Sequence, residues 1–287
     1  MAVIRPFYQK PLHGSRPYNI LSGCMNPFPP HWHGEIEIYY LLSGTLELSI
    51  GAQKQVLTPR TAVIISSAEV HAILSSSPDA LALIVVMGYE LLGSHFSALA
   101  ERDFRNLTMD FNGAPPQALE NAFLELYKLS SHQNCSEEEA IPHDFRVRSM
   151  LCLCAAEIME YLPSRLLTER RRKQVNDLLS MQKVMDYVDS HMAERISVED
   201  AASIAGYEKT RFCQIFQQTL GVSFHKYLNE RRVNEAKRLL SVTAHPIGQI
   251  AEAVGLPEAK TFSRVFRAFE GITPTEWRQH YQKSGGN

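Results

Sequence analysis

Residues 31–44 read HWHGEIEIYYLLSG. His31 and His33 lie one residue apart, Glu37 follows four after His33, and Gly44 closes the run. Side chains of a strand alternate with period two, so His31, His33 and Glu37 are expected on one face. Imidazoles and a carboxylate converging on one side are the donors a divalent metal takes. The same groups suit an enzyme's metal centre or a binding pocket.

A second set of residues has the types that read DNA, and it occurs in duplicate. AASIAGYEKTRFCQIFQQTLGVSFHKYL (201–228) and IAEAVGLPEAKTFSRVFRAFEGITPTEW (250–277) match at an offset of 50: Phe212 with Phe262, Phe216 with Phe266, Gly221 with Gly271, Tyr227 with Trp277. Ala202 and Gly206 match Ala251 and Gly255 at an offset of 49, so the second turn is one residue longer. Each copy reads helix, glycine turn, helix, with a small alanine where the helices cross and a glycine where the first one ends. In the first copy Phe212, Ile215, Phe216 and Leu220 form the core stripe, which leaves Lys209, Thr210, Cys213 and Gln214 facing out. In the second, Phe262, Val265, Phe266 and Phe269 are buried and Lys260, Thr261 and Arg264 face out. Arginine reads guanine bidentately, glutamine reads adenine, and threonine touches a thymine methyl. A helical bundle with a solvated polar face is the plainer alternative.

Elements of two kinds must position these groups. Up to about residue 90, EIEIYYLLSGTLELSIGAQKQV, TAVIISSAEVHAIL and ALALIVVM read as short strands with glycine turns at Gly44 and Gly51, and predict a small barrel or sandwich. The period then turns helical, in 115–132 with Leu119, Phe123, Leu126 and Leu129 on one stripe, and in a longer apolar helix over 143–166 ended near Pro163. The wide apolar surface of that helix (Met150, Leu151, Leu153, Cys154, Ile158) either packs on the barrel or serves in part as a dimer interface. TERRRKQVNDLLS (168–180) is polar and basic and reads as a linker. Beyond it every segment is helical, with caps at Ser197, Ser223 and Thr273-Pro274.

The 287 residues exceed what one core usually serves. The expected division is 1–167, a linker at 168–178, and 179–287. Net charge is −2, but residues 168–287 carry +4 and residues 1–167 carry −6, so the helical part is the mildly basic one. Cys24, Cys135, Cys152, Cys154 and Cys213 form no CxxC pair and no even framework, which implies reduced thiols and a cytoplasmic location. The N-terminal stretch has no apolar core of a secretory signal. The longest apolar run, 80–93, falls short of the ~20 residues of a membrane span.

The tandem helix-turn-helix, its closing run TFSRVFRAFEGITPTEW (261–277) and the long helix LNERRVNEAKRLLSVT (228–243) between the copies resemble the AraC family of bacterial transcription regulators. The match covers about 110 residues. It implies two recognition helices entering successive major grooves on one face of the DNA, with Lys209, Thr210, Cys213 and Gln214 on the first and Lys260, Thr261 and Arg264 on the second. The family often has Arg where this chain has Gln214, so the first half-site is expected to prefer a different base or to bind more weakly.

The N-terminal half resembles the cupin barrel that many members carry as an effector and dimerisation module. His31, His33, Glu37 and Gly44 fit its first motif. PRTAVIISSAEVHAI supplies His71 for the second, with Arg60 and serines in place of the usual glycine and prolines. The implied fold class is α+β, a cupin-like β-barrel with flanking helices followed by an all-α domain of two helix-turn-helix motifs. The implied protein is a homodimeric, effector-controlled DNA-binding regulator and not an enzyme. Its metal set is His31, His33, Glu37 and His71, with Zn²⁺, Ni²⁺, Mn²⁺ or Fe²⁺ as candidate ions. Promoter or operator DNA is the expected partner, a small molecule such as a sugar the candidate effector, and RNA polymerase a further candidate. Trp32 and Tyr39 either stack on an effector or pack on the face opposite the histidines. Three other readings stay open: a set that is hydrogen-bonded scaffold around an organic effector, a metal-dependent cupin enzyme with an appended DNA-binding domain, and a regulator whose barrel only dimerises.

Overall fold

The computed structural model describes residues 7–9, 17–104, 108–113, 116–131, 137–162 and 164–284. Cys135 lies outside them. The chain divides into two compact units, Met1–Leu179 and Ser180–Asn287.

In the first unit β1 (Phe7–Tyr8), β2 (Tyr18–Cys24), β3 (Phe28–Trp32), β4 (Ile36–Ser43), β5 (Leu46–Ile50), β6 (Gln53–Leu57), β7 (Thr61–Ile65), β8 (His71–Ser76) and β9 (Leu81–Met87) precede two short helices, α1 (Tyr89–Leu92) and α2 (His95–Ala100). Then follow β10 (Arg102–Asp103), β11 (Thr108–Asp110), α3 (Gln117–Ser130), α4 (Glu137–Tyr161) and β12 (Arg165–Leu166). Two five-stranded sheets form, in the orders β1-β3-β8-β5-β6 and β11-β7-β4-β9-β2, with β10 and β12 as a separate pair. Their inner faces share one core, in which Tyr39, Leu41, Val63 and Ile65 meet Leu46, Leu48, Leu57 and Ile73.

The other face of the β4 sheet is buried too. Ile36, Ile38, Tyr40, Ile64, Leu83 and Val85 pack with Leu119, Phe123 and Leu126 of α3 and Val147, Leu151, Cys154 and Ile158 of α4. A sheet covered on both faces needs apolar residues at every position, which is why IEIYYLL shows no clean polar alternation. A bidentate ion pair ties α3 to the barrel: Arg60 Nε and Nη2 donate to Glu120 Oε1 and Oε2 at 2.8 and 2.9 Å, and the Tyr40 hydroxyl donates to Oε1 at 3.0 Å. Arg60 holds the left-handed φ of 62° that the turn requires, where glycine would be less strained.

Two boundaries differ from the sequence reading. The helix expected over 143–166 starts at Glu137 and ends at Tyr161, carrying Pro142 inside it. Of residues 168–178, read as a linker, all after Thr168 belong to the opening half of a continuous helix, α5 (Glu169–His191). Arginine, lysine, glutamine and leucine are good helix formers, Thr168 Oγ1 accepts the Arg171 N–H, and Val175 is buried with Leu167 and Ala68.

The second unit continues with α6 (Val198–Ala205), α7 (Lys209–Leu220), α8 (Phe224–Val242), α9 (Ile247–Ala253), α10 (Ala259–Glu270) and α11 (Pro274–Ser284). Ser197 and Asp200 form a reciprocal capping box at α6, and Thr273 and Glu276 do the same at α11. Phe212 and Phe216 are fully buried against Phe224, and Phe262 and Phe266 are buried with Val233, Ala236 and Leu240 of α8. Removing one such ring costs about 3–5 kcal/mol.

Candidate functional site

His31, His33, Glu37 and His71 come together inside the barrel, with one ligand atom from each within 4.8 Å of the others, and all four are buried. They do not share one strand face. His31 is the penultimate residue of β3, His33 sits in the connection after it, Glu37 is on β4 in the other sheet, and His71 opens β8 opposite His31. Gly34 follows His33 where the chain leaves one sheet for the other, so period-two alternation stops there. The set bridges the two sheets.

Each imidazole has a defined second contact. His31 Nδ1 lies 3.0 Å from the Pro29 carbonyl, and His71 Nδ1 lies 2.9 Å from the Glu69 carbonyl. A carbonyl oxygen only accepts, so Nδ1 carries the proton in both rings and Nε2 is left for the centre of the set. Glu37 Oε2 is the hub, 2.7 Å from His71 Nε2 and 3.1 Å from His33 Nε2. Burial pulls the His31 pKa down to about 4, aided by the neighbouring His71. His33 is also buried, but the carboxylates of Glu35 and Glu37 outweigh that and push its pKa up to about 10. The two histidines likewise hold Glu37 well below the ordinary carboxylate range despite its burial.

Trp32 and Tyr39 do not behave as one pair. Trp32 is buried. Tyr39 shares the inner face with Glu37 rather than the face opposite the histidines, and its burial, with the Glu37 carboxylate nearby, pushes its phenol pKa well up. Its odd number, like that of Glu37 on the same strand, is the signal that places it there. Glu35 was also missed, and its contact with His33 Nδ1 at 3.4 Å makes it part of the surroundings of the set.

In the helical unit, Lys209, Thr210, Cys213 and Gln214 are exposed on α7, Lys260 and Arg264 are exposed on α10, and Thr261 is half-buried. Lys209 Nζ is paired with Glu199 Oε1 at 2.6 Å, and Thr261 Oγ1 donates to Glu258 Oε2 at 3.0 Å. Both exposed faces run a turn further than the sequence reading drew them, through Gln217 and Gln218 on α7 and Arg267 on α10. The same i, i+3, i+4, i+7 spacing that placed Gln214 reaches Gln217.

Residues 201–280 match a helix-turn-helix domain family and residues 24–87 a cupin domain family. A probable transcriptional regulator, LumQ of Photobacterium leiognathi, is 25% identical over 150 residues, covering 47% of this chain and 60% of that protein. The arabinose operon regulatory protein of Escherichia coli is 32% identical over 118 residues, covering 38% of this chain and 40% of that one. A crystal structure of a Chromobacterium violaceum regulator with an AraC-type DNA-binding domain is 30% identical, covering 38% of this chain and 96% of that chain, with a TM-score of 0.36. The chain thus spans 60% or less of the length of these two curated relatives. It carries an AraC-type helix-turn-helix domain in its C-terminal unit and a cupin domain in its N-terminal one.

Proposed function

We propose that the chain is a cytoplasmic, sequence-specific DNA-binding transcription regulator, controlled by a divalent metal held in the cupin barrel and dimerising through α4. The DNA-binding reading is carried by one observation: two matched helix-turn-helix units present polar faces, Thr210, Cys213, Gln214 and Gln217 on α7 and Lys260, Arg264 and Arg267 on α10. The related regulators support it. In a footprint against operator DNA, Arg264→Ala should cost about 1–3 kcal/mol at one base position, and Gln214→Ala should act about one helical turn away. Uniform loss of protection along the site by both variants would refute the assignment.

The metal reading rests on the donor set. Nε2 atoms of His33 and His71 converge on the buried Glu37 carboxylate, and His31 lies beside them, so three imidazoles and one carboxylate are gathered where a cation would satisfy them together. Three imidazoles and one carboxylate suit Zn²⁺, Ni²⁺, Mn²⁺ or Fe²⁺. Elemental analysis of protein purified without chelators should find about one equivalent per chain, and His31→Ala with His33→Ala should remove it and abolish effector control. A second reading, in which a proton on His33 supplies the cation and the set is scaffold around a polar effector such as a sugar, draws on the raised pKa of His33. It predicts no stoichiometric metal.

The dimer reading draws on Ile141 and Phe145, which are 65% and 68% exposed on the outer face of α4. Large apolar side chains left bare on one helix face mark an interaction surface.

A further inference from the structure

Five residues, Ser66–Val70, join β7 to β8 and lead directly into His71. One side of this loop is bonded to the metal set. The Ala68 N–H donates to the His33 carbonyl at 2.8 Å, Ser67 Oγ donates to the Gly34 carbonyl at 2.7 Å, and the Glu69 carbonyl accepts from His71 Nδ1 at 2.9 Å. The other side is bonded to α5. The Glu69 carboxylate pairs with the Arg171 guanidinium, and the Ala68 methyl is buried with Leu167 and Val175, against which Leu178 and Leu179 pack.

The loop has little freedom to move without both sides moving. Glu69 is buried, so Arg171 compensates a carboxylate that would otherwise be costly there. Gly51 backs the carboxylate so closely that a Cβ would lie 2.7 Å from Glu69 Oε1, and the Gly51 N–H donates to the Val70 carbonyl at 2.7 Å. Ala68 holds a left-handed φ of 57°, which a non-glycine residue keeps only where its surroundings fix it. One residue, Glu69, therefore orients His71 through its carbonyl and grips α5 through its carboxylate. Beyond Arg171, α5 runs without a break to His191, past the boundary of the helical unit at Ser180.

We propose that Glu69–Arg171 is a latch that couples occupancy of the His31–His33–Glu37–His71 set to the docking of the first turns of α5 on the barrel. The latch rests on the metal reading above and gives it a route out of the barrel. A metal that fixes His71 fixes the Glu69 carbonyl, and with it the carboxylate that holds Arg171. By linkage, a docked α5 raises metal affinity by the same factor by which metal favours docking. Glu69 and Arg171 are positioning residues here, since neither touches the ion.

The full chain and Zn²⁺ alone suffice as a test. Affinity is read by competition with a chromophoric chelator, and docking by amide hydrogen exchange over residues 169–179 with and without Zn²⁺. In the wild-type chain Zn²⁺ should slow exchange in this segment. Arg171→Ala should bind Zn²⁺ about five-fold or more weakly, the lower end of ordinary coupling, and Zn²⁺ should no longer change exchange in α5. Glu69→Gln, which keeps the backbone carbonyl and the side-chain volume, should do the same, and the double variant should be no weaker than either single one. Latch variants that bind Zn²⁺ with wild-type affinity and keep the exchange response overturn the latch and leave the metal centre standing. A wild-type chain that takes up no Zn²⁺ overturns both.

Discussion

Glu37 meets two imidazoles, and His33 is the partner whose protonation state matters most. With a folded pKa raised to about 10 from 6.5, His33 contributes stability that is full below pH 6.5 and is lost as pH rises through about 10. A metal bound through His33 Nε2 must displace that proton. Metal uptake at neutral pH should therefore release about one proton per chain, and affinity should rise with pH. Calorimetric titration in two buffers of different ionisation enthalpy measures this, and uptake with no proton released would remove His33 from the ligand set. Residue types and spacing were enough to pick out His31, His33 and Glu37. They were not enough to place them, because period two holds only while a strand continues, and this one ends before Gly34. The pairs Arg60–Glu120 and Glu69–Arg171 were illegible for another reason: their partners are 60 and 102 positions apart, and no local pattern joins them.

The glycine turns of the two helix-turn-helix copies look equivalent in sequence and are not equivalent in space. Gly206 ends α6 with φ 73° and has nothing within 4 Å of where a Cβ would stand. Gly255 has φ 74°, but a Cβ there would meet the Met192 carbonyl at 2.4 Å and Arg232 Nη2 at 2.9 Å. Arg232 is buried and donates to the carbonyls of Met192 and Glu194 at 2.9 and 2.6 Å, so the segment after α5 is fixed in place and unable to yield. Gly206→Ala should thus cost only the left-handed backbone term of roughly 1–2 kcal/mol. Gly255→Ala should cost clearly more, measured as the shift in denaturation midpoint of the helical unit, and equal costs would contradict this packing. The repeat, the caps and the core stripes could all be read from the sequence. This asymmetry could not, since it depends on which segment lies against each turn.

At the scale of the whole molecule, α4 buries Val147, Leu151, Cys154 and Ile158 on the barrel and turns Ile141, Phe145 and Cys152 outward. Phe145→Glu should convert a dimer to a monomer in sedimentation at micromolar concentration without changing metal uptake. A wild-type chain that sediments as a monomer would remove the dimer reading. Within the helical unit, α8 links the two helix-turn-helix motifs as a rod of 19 residues, about 28 Å long, against the ~34 Å of one turn of DNA. It contains neither glycine nor proline at which to bend. The consequence falls on the DNA. If both motifs read DNA as proposed, the target consists of two short words a set distance apart, and letters between them can be exchanged far more freely than they can be added or removed. One extra base pair swings the second word by about 35° around the duplex and 3.4 Å along it, a displacement that α8 has no joint to follow.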